Sequence, residues 1–404
     1  MKIKNPLWLN EIYEKKSSEN CDPHLELQVG HFIYLHKHEK NSNVKRVAIF
    51  RDGPFLPIKT GAAASILGMT MAMHARSNKY SPVLIKCVRP EDRLINYLHL
   101  PFDVLFLHRD DFYGDKSKIL TQWMKENKIR IAHFDSAEAV NIHSKCIKNV
   151  ARVVYEAHNI EHDLLKQLNA PKRTITYIKN QEVMACKTAD LILFRSQENY
   201  NQLNWEKSDL AKKGKIYRGA VDVDKILFNT KRRSQSSNVI FLGHLNYQPN
   251  IEALDIIKDN IAPKIKNTIE IAGDVSLNVK RMNQHKNMKY LGRVEDLNKV
   301  FDNAYVAIAP LISGSGTRLK ILDYMAAGLP VIATSLAIEG LESEIKKYII
   351  IEDNFKNYPM YISNISKYIT KDMLIKGRQY VVKKRTWKYA IVDIMNAYDS
   401  LDLL

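Results

Sequence analysis

Two successive series of apolar segments, each alternating with amphipathic stretches, constrain this chain more than anything else in its sequence. Residues 46–50 predict a first strand, followed by a helix over about 62–77 and strands near 83–88, 103–108, 129–134, 152–156 and 190–194. The pattern restarts at residue 238 with NVIFLG, then a helix over about 250–261, strands over 268–272 and 288–291, a helix over 296–304 and a strand over 305–309. Parallel strands need long crossovers, usually helical, so alternation of this kind predicts an α/β chain with doubly wound sheets. The polar run NTKRRSQSS at 229–237 reads as the linker between two halves. Ligands of such sheets bind beyond the carboxyl ends of the strands, which makes a cleft between the halves the expected site.

The segment GSGTRLKILDYMAAGLPVIATSLAIEGL, residues 314–341, carries the chemistry. Leu319, Ile321, Leu322, Met325 and Ala326 recur at helical spacing, Gly328-Leu329-Pro330 ends that helix, and residues 331–334 read as a buried strand. Gly314 and Gly316 let backbone approach a ligand, and the first amides of a helix have no internal partners, so phosphate oxygens can accept from them. Arg318 and Lys320 add charge-assisted donors at the same place. Lys320 and Asp323 share a helix face, whereas Arg318 reaches the same ligand only from an irregular first turn. Taken by itself, a glycine pair before a helix is equally compatible with an ordinary buried helix carrying solvated charges.

The whole run resembles the nucleotide-sugar signature of the retaining glycosyltransferases of family 4. The resemblance implies the GT-B fold: two Rossmann-like doubly wound domains facing across a cleft, with a C-terminal helix crossing back to the first domain. On this chain that means an N-terminal extension over 1–44, an acceptor-side domain over 45–228, a linker over 229–237, a nucleotide-sugar-binding domain over 238–383 and a returning helix over 384–404. It also implies transfer of a sugar from a UDP- or GDP-linked donor to a hydroxyl of a glycan, a lipid-linked saccharide or a small-molecule glycoside, with no metal or other cofactor. The better-known version of the motif has two glutamates, one on the donor sugar and one on the ribose. Those positions are Ser315 and Asp323 here, so the first carboxylate is missing and the second is one methylene shorter. Gly243 and His244, with Gln248, lie where many members place an Arg and a Lys on the diphosphate; the resemblance therefore leaves Arg318 and Lys320 as replacement cations. Gly314, Ser315, Gly316, Thr317 and Leu319 complete the donor loop, Arg293 and Val294 fall in the loop that holds the base, Gly61 matches a first-domain glycine near the phosphates, and His158 matches the histidine that contacts the donor sugar. Arg318, Lys320 and His158 are the catalytic candidates.

Composition bounds the alternatives. The chain has 404 residues and a formal net charge of +17, with 33 Lys and Arg against 20 Asp and Glu over residues 45–235. That surplus points to an anionic partner, such as a lipid diphosphate or an anionic membrane touched from the cytoplasmic side; no recognition motif accompanies it that would favour nucleic acid. Cys21, Cys87, Cys146 and Cys186 have neither disulfide nor zinc spacing and read as reduced thiols of a cytoplasmic protein. His158-Asn159-Ile160-Glu161-His162 fits the H-x-x-E-H spacing of a zinc peptidase, which requires both histidines on one helical turn. Asp222-Val223-Asp224 reads as a loop, and no Gly-Lys-Ser/Thr phosphate loop is present. A nucleotide-sugar epimerase and a catalytically silent sugar-nucleotide binder remain as alternatives.

Overall fold

The computed structural model describes residues 32–36, 44–53, 55–56, 58, 60–90, 92–113, 117–203, 209–230 and 237–401. Most of the 1–44 segment, Cys21 and most of the 229–237 linker lie outside the described residues.

The first sheet contains β1 (Phe32–Leu35), β2 (Lys45–Arg51), β3 (Tyr80–Cys87), β4 (Asp103–Leu107), β5 (Ile129–Phe134), β6 (Arg152–Ala157), β7 (Leu191–Phe194) and β8 (Gly214–Ile216), in the order β1-β4-β3-β2-β5-β6-β7-β8. All neighbours pair parallel except β1, which joins the edge strand β4 antiparallel. The second sheet is wholly parallel: β9 (Asn238–Leu242), β10 (Ile269–Ala272), β11 (Met288–Gly292), β12 (Ala304–Ala309), β13 (Val331–Ala333) and β14 (Ile350–Ile351), ordered β11-β10-β9-β12-β13-β14. In both sheets the winding reverses beside the first parallel strand, between β2 and β5 and between β9 and β12. Crevices open at such points because the following loops leave in opposite directions.

The helices that matter for the site are α1 (Gly61–Arg76), α2 (Ala137–Ile147), α3 (Glu161–Gln167), α4 (Lys172–Thr188), α5 (Gln248–Ile256), α6 (Leu319–Ala327), α7 (Lys371–Lys384) and α8 (Trp387–Asp399). The first sheet is buried on both faces, one packed by α1 and α8 and the other by α2 and α4, which explains its near-continuous apolar strands. A separate core fills the second domain. Among the described residues no helix is long and apolar enough to cross a membrane.

Helix α8 leaves the second domain and buries Ala390, Ile391, Ile394 and Tyr398 in the first. Trp387 lies so close to Gly68 on α1 that a Cβ there would fall 2.1 Å from the indole nitrogen. The two halves are thus joined by packing as well as by the chain.

The structure corrects several expected boundaries. Residues 32–35 belong to the first sheet although they precede residue 45; their strand is specified by pairing with β4, not by a local pattern. The helix expected over about 62–77 spans Gly61–Arg76, so Gly61 is its first residue, capped by the Thr60 hydroxyl accepting from the Ala63 amide at 3.1 Å. The helix expected to reach residue 304 ends at Asp302, and Ala304 already belongs to β12. The 250–261 helix starts at Gln248 and widens into a π turn over Ile257–Ile261.

Candidate functional site

A cleft of about 1680 Å³ lies between the domains. Small-molecule pockets usually measure about 300–1000 Å³, so this one has room for two substrates. Of the residues singled out from sequence, His158, Gly61, Gly243, His244, Arg293, Val294, Gly314, Ser315, Thr317, Arg318, Leu319, Lys320 and Asp323 line it, and Gly316 does not.

The second-domain wall is built at the switch point. After β9 the chain turns through Gly243 and His244 into α5, and after β12 it runs through Ser313 and Gly314 into α6. The Leu242 amide donates to the Tyr324 hydroxyl at 2.7 Å, which ties α6 to the end of β9. Gly273, just past β10, has φ +142°, and a Cβ on it would lie 1.7 Å from the Gly243 carbonyl oxygen. Only glycine permits this backbone-on-backbone contact, which fixes the turn that carries His244.

Arg318 caps α6 in a non-helical conformation, φ −83° and ψ 90°. This irregular turn lets Arg318 and Lys320, two residues apart, face the same cleft. Arg318 Nη1 donates to the Gly316 carbonyl at 2.6 Å and lies 3.6 Å from Glu339. Nη2 is buried with no partner, as is the Thr317 hydroxyl. Among the described residues the amides of Thr317 to Lys320 also have no protein acceptor. Unpaired donors gathered at a helix start form a place suited to an anion.

Two of the expected phosphate contacts are corrected. The Gly314 amide already donates to Gln167 Oε1 at 2.9 Å, across the domain boundary, and is not free for a ligand. Gly316, φ +75°, faces the first domain: a Cβ would fall 2.4 Å from Asn159 Oδ1 and 2.6 Å from the His158 carbonyl. Its glycine is required by that close approach and not by a ligand. Ser315 lines the cleft, but its Oγ accepts from the Ile160 amide at 3.1 Å. The loop expected to grip a donor therefore also latches the two domains.

Lys320 Nζ donates to Asn250 Oδ1 at 2.8 Å and sits 4.4 Å from the centre of the Phe241 ring. Burial and the neighbouring Arg318 charge pull its pKa down to about 7. Asp323, on the same helix face, has its pKa pushed up to about 7 by burial. An ammonium group attracts phosphate only when protonated, and a carboxylate accepts from two neighbouring hydroxyls only when ionised, the roles expected of Lys320 and Asp323 from the sequence. Nucleotide diphosphate affinity should therefore be bell-shaped around pH 7, falling at low pH through Asp323 and at high pH through Lys320. Calorimetric titration across pH 5.5–8.5 checks this: Lys320→Arg should flatten the alkaline limb and Asp323→Asn the acid limb.

On the first-domain wall, His158 follows β6 directly. Burial and the nearby Arg195 charge lower its pKa to about 4, so the imidazole is neutral, and its Nδ1 has no partner. His162 belongs to α3, where its Nδ1 meets Glu182 at 2.5 Å and its Nε2 lies 3.4 Å from Asp163. His158 stands before that helix, so the two histidines do not share a turn and the H-x-x-E-H zinc geometry is not formed. His244 adds a second unpartnered buried Nδ1. Gly61 fronts open space, with nothing within 4 Å of where a Cβ would stand. Arg293 lies exposed at the rim, in the loop after β11.

Sequence reasoning missed Asn250, Gly273 and Arg195. Asn250 lay in a stretch already noted, yet nothing local says that its amide will hold Lys320. Gly273 follows a strand directly, a position where a glycine signals close approach. Arg195 carried no pattern of its own.

Two parallel-sheet Rossmann-like domains facing across a cleft, with a helix start presenting unpaired donors to it, define the GT-B fold. Residues 236–362, in the second half of the chain, match the family model described as Glycosyl transferases group 1. An uncharacterized 44.6 kDa protein in the cps region of Klebsiella pneumoniae is 28% identical over 151 residues, which span 33% of this chain and 38% of that relative. Among solved structures, Anabaena HepE in complex with UDP and glucose superposes with a TM-score of 0.67 at 14% identity, covering 88% of this chain and 99% of that one. Sucrose-phosphate synthase from Thermosynechococcus elongatus gives 0.70 at 12% identity, covering 88% and 98%. The lipopolysaccharide outer core galactosyltransferase WaaB gives 0.58 at 12% identity, covering 88% and 99%. At these identities the likeness to the solved structures is one of fold.

Proposed function

We propose that the protein is a metal-independent retaining glycosyltransferase that moves a sugar from a UDP- or GDP-linked donor to a hydroxyl acceptor. The observation that carries this reading is the unpaired Arg318 Nη2 beside the free amides at the start of α6, with Lys320 next to it. A diphosphate supplies the acceptors those donors lack. Asp323 lies one helical turn further on, in reach of a ribose, and the loop of Arg293 and Val294 borders the space for the base. The UDP in the HepE complex supports a nucleotide ligand for this fold.

In this reading the bond from the anomeric carbon to the diphosphate oxygen breaks as the acceptor oxygen bonds to the same face of that carbon. The acceptor proton passes to the departing diphosphate, so no separate base is required. Arg318, Lys320 and the helix amides stabilise the charge that develops on the leaving group. Neutral His158 orients the sugar through a hydrogen bond without adding charge beside a carbon that is becoming positive.

A thermal-shift screen against UDP, GDP and their sugar conjugates tests the proposal. A ligand at a hundredfold its dissociation constant adds about 2.7 kcal/mol of stability, enough for a clear rise in Tm. One base should stabilise and the other should not; no shift with either would sink the assignment. Incubation with donor alone then separates transfer from epimerisation, since an epimerase would accumulate an isomerised sugar nucleotide.

A further inference from the structure

Arg195 stands immediately after β7, at the carboxyl end of the first sheet, and lines the cleft with only 5% of its surface exposed. Its Nε and Nη2 donate to Glu156 Oε1 at 3.0 and 2.6 Å, and Nε also meets the Tyr217 hydroxyl at 2.8 Å. Nη1 makes no hydrogen bond among the described residues and stays accessible, on a residue that lines the cleft. Glu156 is fully engaged: its Oε2 meets His133 Nε2 at 3.0 Å, and His133 Nδ1 meets the Tyr398 hydroxyl of α8 at 2.6 Å. A returning helix, a histidine and a carboxylate thus hold this guanidinium in one orientation.

The surroundings decide what it can bind. His158, its neighbour in the cleft, is uncharged. The second acid on this side of the sheet, Asp135, is paired with Arg51, and neither lines the cleft. Ser315, facing from the other domain, offers only a hydroxyl. The acids that do line the cleft come from residues 222–224 and from the second domain. The part of the site around His158 therefore presents a guanidinium edge that Glu156 holds from behind, with no acid of the first sheet lining the cleft beside it. An accessible guanidinium N–H held in one orientation is an unused charge-assisted donor, and a carboxylate is its natural complement.

We propose that Arg195 Nη1 binds the carboxylate of one of the two sugars that meet at His158, so that the enzyme handles an acidic sugar of the hexuronate type. The inference rests on the glycosyl-transfer reading above. It concerns a different end of the cleft from the diphosphate donors at Arg318, and it fails separately from them.

The test has two arms. In the donor arm, UDP-glucuronate is compared with UDP-glucose, and GDP-mannuronate with GDP-mannose, by calorimetry. In the acceptor arm, glucuronate and glucose glycosides are compared as ligands of the nucleotide-bound protein. In one arm the acidic sugar should bind at least about tenfold more tightly, the size of one charge-assisted hydrogen bond. Arg195→Gln should bring the acidic-to-neutral ratio close to one, and Arg195→Lys should retain most of it. Because the readout is a ratio, a partly folded variant does not mimic the result. The arm that shows the preference assigns the carboxylate to donor or acceptor. Equal binding of acidic and neutral sugars in both arms, or a preference untouched by Arg195→Gln, overturns the proposal. If neither UDP nor GDP binds at all, the glycosyl-transfer reading fails instead.

Discussion

Arg318→Ala should weaken UDP or GDP binding by about 10- to 100-fold, the loss of one charge-assisted contact to a phosphate at about 1.5–3 kcal/mol, while leaving the fold intact. Arg318 reaches the cleft because it precedes the regular helix, and its Nη1 is fixed by the Gly316 carbonyl while Nη2 remains unpaired. Truncation removes a buried charge whose pKa is already lowered by burial, so stability should change little. Arg318→Lys should recover only part of the loss, since a single ammonium cannot both hold Gly316 and reach the ligand. Calorimetry of the three proteins, with Tm measured alongside, checks the affinity and the fold. Wild-type affinity in Arg318→Ala would remove this residue from the diphosphate site.

Gly273→Ala should have the largest effect on folding of any single methyl group in the second domain. The new Cβ would have to displace the Gly243 carbonyl, 1.7 Å away, from a backbone at φ +142° that side chains avoid. Both strand ends are held by sheet pairing, and Gly273 donates to the Gly292 carbonyl at 2.8 Å, so neither side yields easily. A cost of about 3–5 kcal/mol is expected, enough to lose most soluble protein. Gly61→Ala provides the contrast: nothing lies within 4 Å of its Cβ, and stability should stay within about 0.5 kcal/mol of the native protein. Comparing soluble yield and denaturation midpoints of the two variants decides the matter. Near-native stability of Gly273→Ala would contradict the close contact on which the His244 turn depends.

The two predictions differ in how far the sequence could have anticipated them. Alternating apolar runs were enough to read two doubly wound sheets, because a parallel strand buried on both faces and its crossover helix each leave a local signature. β1 escaped that reading: four residues added antiparallel to a sheet edge are defined by β4, about 70 positions away. In the site, residues 317–323 were legible because a helix start, two cations and an acid fall within one and a half turns. The partners that redirect them were not legible. Gly314 loses its free amide to Gln167, and Ser315 accepts from Ile160, contacts that span 147 and 155 residues. Arg195 is a similar case: its role depends on Glu156, Tyr217 and His133 meeting in the folded core. The H-x-x-E-H spacing failed for the opposite reason, since a correct local pattern is broken by the start of α3 at Glu161, which leaves His158 outside the helix that holds His162.

The central claim is that the start of α6 holds a diphosphate, and the most direct measurement is a calorimetric titration of UDP and GDP against uridine and guanosine. One nucleoside diphosphate should bind at one equivalent, and its nucleoside at least about a hundredfold more weakly, because Arg318, Lys320 and the free amides act on the phosphates alone. Equal affinity of a diphosphate and its nucleoside, or binding of the diphosphate unchanged when both Arg318 and Lys320 are replaced by alanine, would contradict the account.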